Sequence, residues 1–189
     1  MIKDILIQNP KKDDYSFIRI IFWIFLIFYS LKFFSFWINK EVMNNYIHWA
    51  NLIFHEAGHF IFLPFGKFIT ILWWSIFQCL VPIIVIWVFL FREYNPFWAS
   101  IWLWWLWENL TDIALYIYDA SERSLPLIGW LSKESHDWWN LLTMTGLLDY
   151  DFLLGIIVHY IWMLLMIIAI LWWFYIHKNA YSKKNIKSI

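Results

Sequence analysis

The chemically densest stretch of the sequence is His55-Glu56-Ala57-Gly58-His59. On an α-helix, positions four apart share a face, so the imidazoles of His55 and His59 can hold one ion between them. Neutral imidazole suits zinc, with N–Zn distances of about 2.0–2.1 Å. Glu56 can then act as general base toward a water activated by that ion. Gly58 leaves room for close packing or for a substrate backbone. A chance match to H-E-x-x-H is a poor explanation in a chain with only six His. It is poorer still inside an apolar run, where a charged group at mid-membrane costs roughly 2.5–3.5 kcal/mol.

The polar stripe extends backward: Asn44, His48, Asn51, His55 and His59 follow one helical face. His48 lies about 10 Å up the axis from His55, too far for easy sharing of one ion, and reads as a packed or interfacial histidine. Asn51 can orient a ligand or hydrogen-bond to substrate. Carboxylates come from a second segment, Glu108-Asn109-Leu110-Thr111-Asp112, which continues to Tyr116 and Asp119. Asn109, Asp112, Tyr116 and Asp119 share a stripe of 3-4-3 spacing. A catalytic zinc takes three protein ligands and keeps one position open, and this stripe offers carboxylates for the third. Asp112 is the deeper one, and Glu108 lies one turn away on a nearby face. Asp119 also reads as an ordinary helix-end carboxylate. Tyr116 can stabilise an oxyanion, although a buried tyrosine with a satisfied hydroxyl is the commoner case.

A third constellation is His136-Asp137-Trp138. An adjacent His and Asp can supply a third ligand, a carboxylate behind a ligand, or a proton shuttle. Alternatively, Asp137 caps a short helix starting at Trp138. Ser75 and Gln78 read as hydrogen-bonders between helices, and His159 as a packed polar residue. Trp98, Trp102, Trp104, Trp105 and Trp107 read as lipid contacts or an interfacial belt.

The elements that must position these groups follow from composition. Of 189 residues, 62% are hydrophobic and 15% charged, against about 45–50% and about 25% in a soluble domain. That excess is too large for one buried core and suits a small bundle of membrane helices, with the lipid bilayer as partner. Lys plus Arg and Asp plus Glu are 14 each, so charge gives no argument for nucleic acid. The single Cys79 excludes an internal disulfide and a cysteine zinc site. Apolar runs at 17–37, 46–65, 68–91, 96–118 and 152–176 are long and do not alternate, so they are helices. Arg19 and Lys32 are expected to snorkel, and Pro82 to kink the third run.

The predicted fold is therefore all-α: a polytopic transmembrane bundle of about five membrane helices with a short extra helix in the 119–151 loop. A polar tail (1–16) precedes a single transmembrane domain (17–176), and a basic tail (177–189) follows it. The basic tail predicts a cytoplasmic C terminus. Five spans would put the N-terminal tail outside, whereas Lys3, Lys11 and Lys12 argue for inside, so its side stays open.

The H-E-x-x-H core resembles the zincin metallopeptidases, and its setting in an apolar helix resembles the site-2 class of intramembrane metalloproteases. In that class the third ligand is an Asp on a later transmembrane helix, within an Asn/Pro-containing Asp-Gly motif. The resemblance implies Asp112, with Asn109 three residues before it, as the first choice for third ligand, with Asp119 and His136 behind it. The motif departs here: there is no nearby Pro, and Ile113 follows Asp112. The Glu108-to-Asp112 spacing also resembles the Glu-x-x-x-Asp helix of thermolysin-type zincins, in which the Glu is the ligand. The chain is further similar to a group of small bacterial integral membrane proteins of site-2-protease-like kind. That similarity rests on NLIFHEAGHFIFLPFG (51–66), Ser75 to Pro82, Asp112 to Ala120 and His136-Asp137-Trp138. It covers about a quarter of the chain. It implies a bacterial inner membrane and one site containing Asp112, Asp119, His136 and Asp137. The expected function is a zinc-dependent intramembrane metallohydrolase, a peptidase acting on a membrane-embedded or membrane-proximal peptide, with Glu56 catalytic. The alternative is a non-enzymatic membrane protein with a structural or transport metal site. A b-haem is disfavoured, because His55 and His59 lie on one helix face and cannot be opposite axial ligands.

Overall fold

The structure, a computed structural model, describes residues 16–34, 46–127 and 132–186. The side chains of 16, 32–34 and 179–186 are outside that description, as are the N-terminal tail and Asn44, so the reading of Lys32 and the start of the histidine stripe fall there too. Six α-helices are present among the described residues: α1 (Ser16–Phe34), α2 (Tyr46–Phe62), α3 (Lys67–Phe91), α4 (Pro96–Tyr118), α5 (Asp137–Thr145) and α6 (Asp151–Ile186). No strand occurs among them. Within the described residues the five long apolar runs are helical, and the short helix expected in the loop is α5.

Punctuation in the sequence explains the boundaries. Pro64 and Gly66 end α2, and Gly66 takes φ +87°, a conformation that L side chains rarely adopt. Pro96 opens α4 at the position where its missing N–H is harmless. Pro82 lies within α3, which is helical on both sides of it. Gly146, at φ +70°, closes α5. Helix α6 runs well past the apolar span, so much of the basic tail is helical.

Two helical stretches, Lys67–Phe91 and Leu148–Lys178, are long and apolar enough to cross a membrane. Only 22% of each apolar window is buried, whereas a soluble core helix would be mostly buried. The apolar part of α1 is shorter, and α2 has 17 residues. Helix α4 is different in kind. Its 23 residues would reach about 34 Å, but it carries Glu108, Asn109, Thr111 and Asp112, all buried.

The chain groups into two compact units. The first comprises 1–37, 82–106 and 164–189. Within it Trp23 stacks on Trp173, and the Trp104 indole donates to the Ser30 hydroxyl at 2.8 Å. The Arg19 guanidinium lies 4.7 Å from the Phe97 ring centroid, a cation–π contact that was not expected from a snorkelling residue. Trp104 and Trp107 are buried, so they are core residues and not an interfacial belt; Trp98, at 42% exposure, fits the belt better.

The second unit comprises 38–81 and 107–163 and holds every candidate site residue among the described ones. Helices α2 and α3 approach closely at Gly58, where an added Cβ would lie 2.7 Å from the Trp74 Cα. Helices α4 and α6 do so at Gly155, where it would lie 2.9 Å from the Tyr118 Cβ. Ile113 and Ile117 of α4, with Ala120 just past its end, pack with Leu142 of α5, which fixes the short helix against the carboxylate-bearing one.

Candidate metal centre

His55 and His59 point their Nε2 atoms at the same carboxylate oxygen. Asp137 Oδ2 lies 3.6 Å from His55 Nε2 and 3.4 Å from His59 Nε2. One ligand atom from each of the three residues falls within 4.8 Å of the others. The donor set suits zinc: two imidazole nitrogens and a carboxylate. Bonds of about 2.0–2.1 Å in a tetrahedron put neighbouring ligand atoms roughly 3.3–3.4 Å apart. The two histidine–aspartate separations lie within a few tenths of an ångström of that edge.

Each donor is held by a named neighbour. His55 lies against the Trp74 indole, ring centroids 3.7 Å apart, with Tyr116 edge-on at 6.5 Å. Trp74 is 2% exposed and meets His59 as well. Gly58 permits this, since only a residue without a Cβ lets α2 settle on the Trp74 backbone. Asp137 is the first residue of α5, and the cap is His136: its Nδ1 accepts from the Trp139 amide at 3.1 Å. The capping role expected of Asp137 thus belongs to its neighbour, and the Asp137 side chain is left to face the histidines.

His136 is held by a hydrogen bond at Nδ1 and faces a carboxylate at Nε2. An Nδ1 that accepts from an amide leaves Nε2 as the N–H, and Nε2 lies 3.6 Å from Asp119 Oδ2. The ring is fully buried and stacks on Tyr116 at 4.2 Å. Asp119 in turn gathers its loop, accepting from the amides of Ser124 (2.8 Å) and Leu125 (2.9 Å) and from the Ser124 hydroxyl. Burial alone would raise the Asp119 carboxyl, but His136 and these donors outweigh it and hold the group below the usual carboxylate range. The same competition acts on Asp137. Burial raises it, the two facing imidazoles prevail, and its carboxyl also sits below the usual range, in the anionic form a metal requires.

Asp112 lies elsewhere in the same cavity. Its Oδ2 accepts from the Asn51 amide at 2.7 Å and lies 3.1 Å from His48 Nδ1. Asn51 also donates to Glu108. Asn51 therefore bridges two buried carboxylates of α4. His48, read as a packed residue, partners Asp112, and Asn109 is fully buried. The structure thus brings together His55, His59 and Asp137 as one set, His48, Asn51, Glu108 and Asp112 as a second, and Asp119 and His136 as the support for Asp137. Glu56 is exposed and lines the cavity beside His55. That cavity, of about 350 Å³, also takes in His59, Trp74, Asp112 and Asp137.

Three contributors carried little signal in the sequence. Trp74 is one tryptophan among 17, and its contact with His55 is tertiary. Asn140 donates to the carbonyls of Glu134 and His136 and accepts from Lys67 at 2.7 Å, tying α5 to the start of α3. Arg123, at φ +50°, lays its guanidinium over Trp139. His159 is packed as expected, accepting from the Trp162 indole. Compared with protein-family models, curated proteins and solved structures, the chain matches none.

Proposed function

We propose that this is an α-helical integral membrane metallohydrolase, a peptidase, whose zinc is held by His55, His59 and Asp137. The observation that carries the reading is one carboxylate oxygen 3.6 and 3.4 Å from two imidazole nitrogens, on the wall of a cavity that Glu56 shares. Zinc bound there supplies Lewis-acid polarisation of a carbonyl and a more acidic water. The chain's residues supply the rest. Glu56 takes the proton of the attacking water and returns it to the leaving amine. Trp74 fixes the His55 ring, and the His136 cap fixes Asp137. Among the described residues the third donor comes from the loop helix, and Asp112 serves the polar wall with Asn51 and His48.

The membrane setting is a five-span bundle in which α1, α2 and α4 join the two most apolar helices. Support comes from outward side chains on the less apolar helices, such as Phe25, Phe28, Ile53 and Phe60. Single-pass membrane segments, unwound locally to offer a peptide bond, are the substrates. The test is purification in detergent, metal analysis and cleavage of a reporter membrane segment. About one zinc per chain is expected, lost in His55→Ala and kept in Glu56→Gln, with cleavage lost in both. A non-enzymatic metal site would leave the phenotype of Glu56→Gln unchanged, and a metal-free wild type would end the proposal.

A further inference from the structure

Gln78 is 3% exposed, lines the cavity, and has no hydrogen-bond partner among the described residues. Its sequence suggested a bond between helices, and the structure contains none. The same holds for Ser75, one turn before it, whose hydroxyl is buried without a partner. Gln78 lines the cavity, so the little of it that is accessible faces that space. An amide this buried, with no partner among the described residues, is left to pair with what enters the cavity. Leu52, Trp74 and Ile113 add apolar surface to the same cavity.

We propose that Gln78 binds the main chain of an extended peptide segment lying in the cavity. This rests on the peptidase reading above. A glutamine amide presents one carbonyl acceptor and an NH2 donor side by side. An extended residue presents the complement, its own N–H and C=O pointing to one side, so the two can pair twice. A helical segment has already used both groups internally. Gln78 therefore recognises substrate only where it is unwound, and the apolar part of the lining suits side chains of a former membrane helix. The side chain is neutral, so it adds no charge to a site already occupied by Asp137 and Asp112. Its role is to position the substrate; the bond-breaking groups are Glu56 and the metal ligands.

The test uses the full chain in detergent, loaded with zinc. The probes are an apolar tetrapeptide hydroxamate and the same compound with its backbone amide nitrogens methylated. Wild type is expected to bind the parent about tenfold more tightly than the methylated form, and Gln78→Met to lose that discrimination at unchanged zinc content. Gln78→Leu gives the same reading should Gln78→Met fail to fold. If zinc and hydroxamate bind but both variants discriminate as wild type does, the role of Gln78 is overturned while the metal site stands. If wild type holds no zinc and binds neither probe, the peptidase reading fails, and this inference fails with it.

Discussion

At the scale of single residues, the site depends on what each polar atom is left free to do. Asp137 is available to the two histidines because His136 performs the capping. Glu56 is the one residue whose change should separate chemistry from binding. Glu56→Gln is expected to retain zinc and to lower turnover by about 10²–10⁴-fold, measured as cleavage rate at matched metal content. Asp119→Asn is expected to weaken zinc binding by about 10–100-fold, read by competition with a chelator, because it loosens the His136 ring next to a ligand. Asp119 also has a pH signature. Its folded-state carboxyl sits below the value it takes in the unfolded chain. Its contribution to stability is therefore full above the ordinary carboxylate range and is lost as pH falls through the lower folded value. In zinc-free protein, the difference in melting temperature between wild type and Asp119→Asn should shrink on acidification from neutral pH. A difference that grows would contradict this sign.

At the scale of elements, the histidine pair was legible in sequence because its geometry is local: four residues on one helix decide it. Asp137, the carboxylate that faces the two histidines, was not legible in the same way. Asp112 was favoured by its helix and depth, yet Asn51 and His48 engage it, and which helix face meets which is decided by packing. Asp137 reaches the histidines through a tertiary chain: the Leu142 contact with α4, the Asn140 tie to Lys67, and the His136 cap. None of these links has a sequence period. The cap can be isolated experimentally. His136→Ala is expected to cost about 0.5–2 kcal/mol in melting or chemical denaturation, and His136→Asn, a strong N-cap former, to recover part of it. Gly58→Ala addresses the other contact. Its Cβ would lie 2.7 Å from the Trp74 Cα, which is backbone and cannot swing aside. Overpacking of this kind costs roughly 1–3 kcal/mol, and zinc affinity should fall with stability, since Trp74 is what His55 rests on.

At the scale of the whole molecule, the 62% hydrophobic share identifies the surroundings more than the chemistry. Five long helices could be read from apolar runs because runs of that length without alternation fit a helix and not a strand. Their average hydropathy was less uniform than the runs implied, since α4 spends its polar residues inward. The tryptophans divided between core and surface for a reason composition cannot express: Trp104 has Ser30 to bond, and Trp107 packs on Trp162. Membrane fractions washed with alkaline carbonate are expected to retain the protein, and release into the wash would contradict the five-span arrangement. The central claim is the identity of the third zinc ligand, and metal content measured side by side tests it most directly. Wild type and Asp112→Asn should each hold about one zinc per chain, and Asp137→Ala should hold little or none. Zinc lost from Asp112→Asn but kept by Asp137→Ala would contradict the account.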